Sequence, residues 1–131
     1  RVRAMVEQAD QNRASQLGDH SATTDATAEA KARVRRLYED AYRLAQSELA
    51  VSHPLRLQAA LQLGAYLGEV VGDTAAAVEI SRGAFEDSIA ELDNVAEDSY
   101  RDSTLVMQSL RDNLTLWTQG ESPEPEPVAE A

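Results

Sequence analysis

From Tyr100 to Trp117 the chain reads Y-R-D-S-T-L-V-M-Q-S-L-R-D-N-L-T-L-W, with apolar residues returning every three or four positions. Leu105, Val106, Leu110, Leu114 and Trp117 then share one broad face of a helix that has to meet a core, while Arg101, Asp102, Arg111 and Asp112 face water. Asn113 interrupts that face. An amide among leucines and beside a tryptophan costs free energy unless it is hydrogen-bonded, so it is either paired inside the core or directed into a groove.

The other elements fit the same architecture. Val2, Val6, Ala9 and Arg13, with Met5 beside them, predict an amphipathic helix from Arg1 to about Gln16, and the small polar run from Gly18 to Asp25 predicts a loop. A second helix follows from about Thr27 to Leu49. It carries Val34, Leu37, Tyr38, Ala41, Tyr42, Ala45 and Leu49 on one face, and a Glu39–Arg43 pair on the other. Ser52-His53-Pro54 signals a helix start, with the serine hydroxyl as candidate cap and the proline harmless in a first turn. The helix from Leu55 to about Val71 is apolar nearly all round, which predicts burial among other helices. Gly72-Asp73 ends it, and Asp73 or Thr74 caps a successor that turns Val78, Ile80, Phe85, Ile89 and Leu92 inward. Asn94 to Asp98 forms the turn into the last helix, with Glu97 and Asp98 suited to its positive N-terminus.

Composition agrees. The 131 residues have room for one domain with a core, and aromatics at only 5% favour helices packed through Leu, Val and Ala. The expected fold class is all-α, an antiparallel helical array of about five helices over residues 1–118. After it, residues 119–131 alternate proline with acid and predict a disordered tail. The net charge of −11 disfavours nucleic acid and anionic membranes as partners. With no cysteine there is no disulfide, thiolate nucleophile or cysteine metal site. No apolar run approaches the roughly 20 residues of a membrane span, and no signal peptide is recognisable, so a cytoplasmic protein is expected, with the nucleus as a second compartment. The absence of a starting methionine suggests a fragment.

Catalysis lacks its parts. His20 falls in a loop and His53 beside a proline, no H-E-x-x-H is present, and the Glu86/Asp87 and Glu91/Asp93 clusters read as solvated helix faces, so neither catalytic site, metal nor cofactor is expected. Lys31 to Arg36 contains four cations without interleaved aromatics, which fits the basic end of a surface helix better than a nucleic-acid patch. Asn113-Leu114-Thr115 matches a glycosylation sequon by accident of a helical sequence. What remains is a groove. Gln62 beside Leu61, and Asn113 two turns after Leu105 and Val106, supply the mixture an extended peptide needs: amides for its unpaired backbone and apolar surface for its side chains. Structural amides in a core would give the same pattern.

Y-R-D-S-T-L-V-M-Q followed by L-R-D-N-L-T-L-W-T closely resembles the C-terminal signature of the 14-3-3 phosphoserine/phosphothreonine-binding adaptors. The resemblance continues upstream through A-F-E-D-S-I-A-E-L-D (Ala84 to Asp93) and S-H-P-L-R-L (Ser52 to Leu57), and is clear from about Leu37 to Trp117. It implies a non-enzymatic adaptor that binds phosphorylated client proteins in an amphipathic groove and regulates them in signalling. Asn113 and Gln62 would bond the ligand backbone, Gln62 standing where the family has asparagine. Leu61, Ala65, Leu105, Val106 and Trp117 would line the wall, with Ser109 in place of a family leucine and Glu69 matching a glutamate near the basic cluster. If R-V-R-A-M-V-E aligns with the family's Y-Y-R-Y-L-A-E, Arg3 is one of the phosphate-gripping arginines and Ala4 replaces a tyrosine; forked, permanently charged guanidinium suits a doubly charged phosphate. The family's other phosphate-binding cations, and the helices through which it forms homo- or heterodimers, have no counterpart in this sequence. The alternative is a phosphate-independent helical scaffold in which Asn113 and Gln62 are merely structural.

Overall fold

The computed structural model describes residues 1–18 and 24–119. Among them lie five α-helices and no strand: α1 (Val2–Gly18), α2 (Thr24–Glu48), α3 (Pro54–Tyr66), α4 (Thr74–Ala90) and α5 (Glu97–Gln119). A π-helical segment, Leu67–Val71, prolongs α3, and a 3₁₀ turn, Leu92–Asn94, precedes α5. The expected all-α architecture is thus observed. Gln119, the first residue of the expected tail, ends α5, while residues 120–131 and His20 lie outside the described residues. Of the expected loop, Gly18 belongs to α1, while Thr24 and Asp25 belong to α2.

Three apolar clusters fix the directions of the helices. Val2 and Val6 pack with Ala41, Ala45 and Ala59 at one end. Ala9 packs with Val34, Tyr38, Leu63, Tyr66, Leu67 and Ala77 toward the other. Leu57 and Ala60 meet Ala84, Met107 and Leu110 in the third. Early residues of α1 and α3 therefore lie beside late residues of α2, so α1 and α3 run parallel and α2 runs against both. The same reasoning sets α4 against α3 and α5 along it. Helix α3 touches α1, α2, α4 and α5. Its burial removes Leu57, Leu63 and Leu67 from water, each contributing roughly 1.5–3 kcal/mol.

Local chemistry corrects several expectations. His53, not Ser52, caps α3: the Leu55 N–H donates to His53 Nδ1 at 3.0 Å, with Pro54 in the first turn. Ser52 is buried instead, and its carbonyl accepts from Ser103 Oγ at 2.7 Å, while Ser88 Oγ lies between the Ala84 carbonyl of its own helix at 2.7 Å and the Val51 carbonyl at 3.0 Å, with one proton to share between them. Serines of α4 and α5 thus satisfy the carbonyls of the α2–α3 connector. Glu39 pairs with Arg35 at 3.0 Å and Arg43 with Asp40 at 2.8 Å, so the expected Glu39–Arg43 pair does not form. Ile89, expected inward, is 52% exposed, one residue before the end of α4. Leu105 is 50% exposed, because the deepest side of α5 is the line Ser103, Met107 and Leu110. Asp73 caps α4 as expected, accepting from the Ala76 N–H at 3.1 Å.

Two glycines are conformationally required. Gly72 ends the π-helical segment in the left-handed region at φ 86°, which side chains disfavour. Gly68 lies under the Trp117 ring: a Cβ there would stand 2.8 Å from ring atoms Cε2 and Cζ2. That contact seats the end of α5 against α3. Gly68→Ala is therefore expected to destabilise the chain by about 1–2 kcal/mol, the overpacking cost outweighing the helix propensity gained. Gly83→Ala, in α4 with nothing within 4 Å of the new methyl, is expected to stabilise it by about 0.5–1 kcal/mol. Urea midpoints followed by Trp117 fluorescence measure both; equal shifts would contradict the packing argument.

Candidate functional site

Helix α3 is apolar nearly all round, yet four neighbours do not cover it completely. Leu55, Gln58, Leu61, Gln62, Ala65 and Glu69 remain partly or fully exposed, and they recur every three or four residues. They form a stripe running between α1 and α5. On the α5 side lie Leu105, Val106, Ser109 and Asn113, and on the α1 side Arg3 and Asp10.

At its N-terminal end the stripe opens into a groove of about 330 Å³ lined by Arg3, Leu55, Gln58, Asp102, Leu105 and Val106. Arg3 is exposed and makes no ion pair or hydrogen bond to a described residue. Its guanidinium therefore retains all its donors for an anion. Leu61 and Val106 pack on the Leu57–Leu110 cluster, forming an apolar seam between α3 and α5. Ser109 is exposed, and its hydroxyl is turned back to the Leu105 carbonyl at 3.5 Å. Asn113 is partly exposed, and its side chain makes no hydrogen bond to a described residue, so the paired-in-the-core reading does not hold for it.

One turn on, the stripe becomes polar toward α1. Gln62 Nε2 donates to Asp10 Oδ2 at 3.4 Å, and the Tyr38 hydroxyl makes a short hydrogen bond to Asp10 Oδ1. Farther along, Arg13 pairs with Glu69 at 3.1 Å and lies 5.5 Å above the Tyr66 ring, itself 5.4 Å from the Tyr38 ring. Glu69 is thus matched to Arg13 rather than to Arg3, ten residues and about 15 Å away along α1. Trp117 is partly buried against Gly68 and the core rather than free in the groove. The structure brings Arg3 together with Leu105 and Val106, and Gln62 with a carboxylate. It leaves Ala65 on the stripe without a contact that assigns it a role. Asp10, Arg13 and Tyr38 were not expected in the site.

A larger groove, of about 630 Å³, lies between α1 and α2 and is lined by Asn12, Ala32, Arg33, Arg35, Arg36, Leu37 and Glu39. It contains none of the residues implied by the resemblance. Among the described residues no group of three or more acids and histidines is placed to hold a metal, and no helix is long and apolar enough to cross a membrane.

The sequence profile described as "14-3-3 protein" matches residues 17–118. The chain is 45% identical over 94 residues to 14-3-3 protein zeta of Bombyx mori, covering 70% of this chain and 38% of that protein. It is 49% identical over 90 residues to 14-3-3 protein I of Plasmodium falciparum (66% and 34%), and 43% identical over 103 residues to 14-3-3 protein beta/alpha-A of Xenopus laevis (76% and 42%). The chain therefore spans well under half the length of these relatives.

Burial, and then the Asp10 carboxylate, hold the Tyr38 hydroxyl well above the usual tyrosine range; burial also raises Tyr42, with Arg56 pulling it back. The native state keeps these protons more tightly than the unfolded chain, whose tyrosines titrate near ~10. Stability is expected to be insensitive to this pair below that pH and to fall as pH rises above it. Urea unfolding between pH 8 and 11 measures the fall, and in Tyr38→Phe it should be shallower.

Proposed function

Because the chain belongs to the 14-3-3 family, we propose that it forms part of a non-enzymatic adaptor that binds phosphoserine or phosphothreonine motifs of partner proteins along the α3 stripe. Arg3 carries this reading: an exposed guanidinium without a partner opens into the same groove as Leu105 and Val106. It grips phosphate, Asn113 and Gln62 bond the extended backbone, and Leu61, Leu105 and Val106 cover ligand side chains, with Ala65, Ser109, Glu69 and Trp117 bordering them. The polar positions suit this division of labour. A guanidinium fork matches phosphate oxygens, whereas the Asn113 amide, without a partner among the described residues, can meet a peptide group with one donor and one acceptor. Residues 1–118 act as one helical unit, followed by an acidic tail over 119–131. The partners are phosphorylated client proteins, met in the cytoplasm or nucleus, and the protein pairs into homo- or heterodimers as its family does.

One observation favours a phosphate-independent reading. Asp10 places a carboxylate beside Gln62, Glu69 offsets Arg13, and Asp102 lines the groove with Arg3, the one cation among the described residues lining it. Like charge near a bound phosphate opposes binding.

Fluorescence anisotropy of a labelled phosphoserine peptide, against its unphosphorylated form, separates the two readings. The phosphorylated peptide is expected to bind more tightly by at least tenfold. Arg3→Glu should abolish that difference, and Asn113→Ala should weaken both complexes by about five- to tenfold, the equivalent of one hydrogen bond of about 1–1.5 kcal/mol. Equal affinity for the two peptides would instead identify a scaffold that ignores phosphate.

A further inference from the structure

We propose that the groove between α1 and α2, with a smaller groove that continues it toward the end of α3, is a second binding site. It takes an extended acidic peptide of a partner protein, one whose carboxylates alternate with apolar residues. The site shares no residue with the Arg3 groove and stands whether or not that groove reads phosphate.

Lys31, Arg33, Arg35 and Arg36 fall within two turns of α2, in a chain that holds 23 acids against 12 Lys and Arg. Elsewhere cations find acids: Arg1 pairs with Glu48, Arg13 with Glu69 and Arg43 with Asp40. On this stretch only Arg35 does, with Glu39, while the exposed Lys31, Arg33 and Arg36 form no ion pair with a described residue. The Arg35 pair uses Nε, which leaves both terminal NH₂ groups of its guanidinium for a ligand. Arg33, Arg35 and Arg36 line the groove of about 630 Å³ together with Ala32 and Leu37. Lys31 and Arg35 line the second, of about 270 Å³, with Ala28, Val70 and Val71. Ala32 and Arg35 belong to both, so the two form one track. Its charged lining residues are those four cations and Glu39, a local excess of positive charge on a chain of net charge −11, and such a field concentrates anions. Alanine, valine and leucine between the cations add a demand for apolar groups. No aromatic ring is among the described residues lining the track, so it lacks the stacking platform that nucleic-acid bases require. An acidic peptide meets both demands. From Ala28 to Glu39 the track follows about 16 Å of α2, the span of about five extended residues. Every second side chain of such a peptide points the same way, about 6.6 Å apart, close to the ~6 Å that separates Lys31 from Arg35 along the helix axis.

The test is fluorescence anisotropy of a fluorescein-labelled, unphosphorylated pentapeptide of alternating glutamate and valine on the full 131-residue chain. Saturable binding is expected, weakened at least tenfold in the double variant Arg33→Gln/Arg36→Gln. Arg82→Gln/Arg111→Gln removes the same charge from exposed positions of α4 and α5, and Arg3→Gln alters the other groove; each should change affinity less than twofold. A peptide with serine in place of valine should bind at least fivefold more weakly. Absence of saturable binding overturns the proposal, as do equal losses in the two double variants or equal affinity of the valine and serine peptides, which would mark attraction by charge alone. A single-stranded oligonucleotide that displaces the peptide, and depends more strongly on Arg33 and Arg36, would overturn a peptide as the ligand. A gain of more than tenfold on removing residues 120–131 would assign the track to the chain's own acidic end and overturn a partner as its occupant. All four substituted arginines of the double variants are exposed, so the fold does not depend on them.

Discussion

Burying α3 on all sides but one is the constraint on which the other helices depend. With leucines and alanines around its whole circumference, no single partner can cover it. Helices α1 and α5 flank it in the same direction, while α2 and α4 run against it and close the seams between them. The charged residue on α3 that cannot be buried alone, Arg56, reaches the end of α2, donating to the Leu49 carbonyl at 3.0 Å and to the Gln46 carbonyl at 3.4 Å. It thereby satisfies acceptors that every helix leaves free in its last turn.

The uncovered strip differs on its two margins for the same reason. Toward α5, the contact is made by Leu61 and Val106, so the margin is apolar. Toward α1, the buried tyrosines Tyr38 of α2 and Tyr66 of α3 lie beneath the margin, and Asp10 and Arg13 above them meet a hydroxyl and a ring face. One wall is apolar and the other is polar and charged.

Much of this was legible in the chain itself. The all-round apolar character of Leu55 to Val71, the Gly72-Asp73 stop and the periodic face after Tyr100 each have a local cause, and each led to an element of the right kind. Leu105 and Ile89 were misplaced because periodicity locates an apolar face but not how far a neighbour extends over it. His53 displaced Ser52 as cap because the serine is drawn inward by Ser103, a partner 51 residues away that no local pattern contains. In the site, Arg3, Leu105 and Val106 could be nominated by motif, whereas the roles of Asp10 and Tyr38 arise only from the register between α1, α2 and α3. A weak signal existed: Asp10 and Arg13 stand three residues apart on the same helix as Arg3, polar residues bordering the Val2–Val6–Ala9 face.

The serine bonds to the Val51–Ser52 connector also carry a meaning for the order of assembly. Ser88 and Ser103 lie 37 and 51 residues beyond the carbonyls they satisfy. During synthesis, which delivers the N-terminal part first, α1, α2 and α3 exist before either serine does. The connector then keeps carbonyls that only water can satisfy, and the N-terminal end of α3 is held by Leu55 and Arg56 against α1 and α2 alone. That end, Leu55 and Gln58, is the floor beside Arg3. The Arg3 end of the groove therefore acquires its final shape last, when the signature helix that announces the family in the sequence docks and closes it.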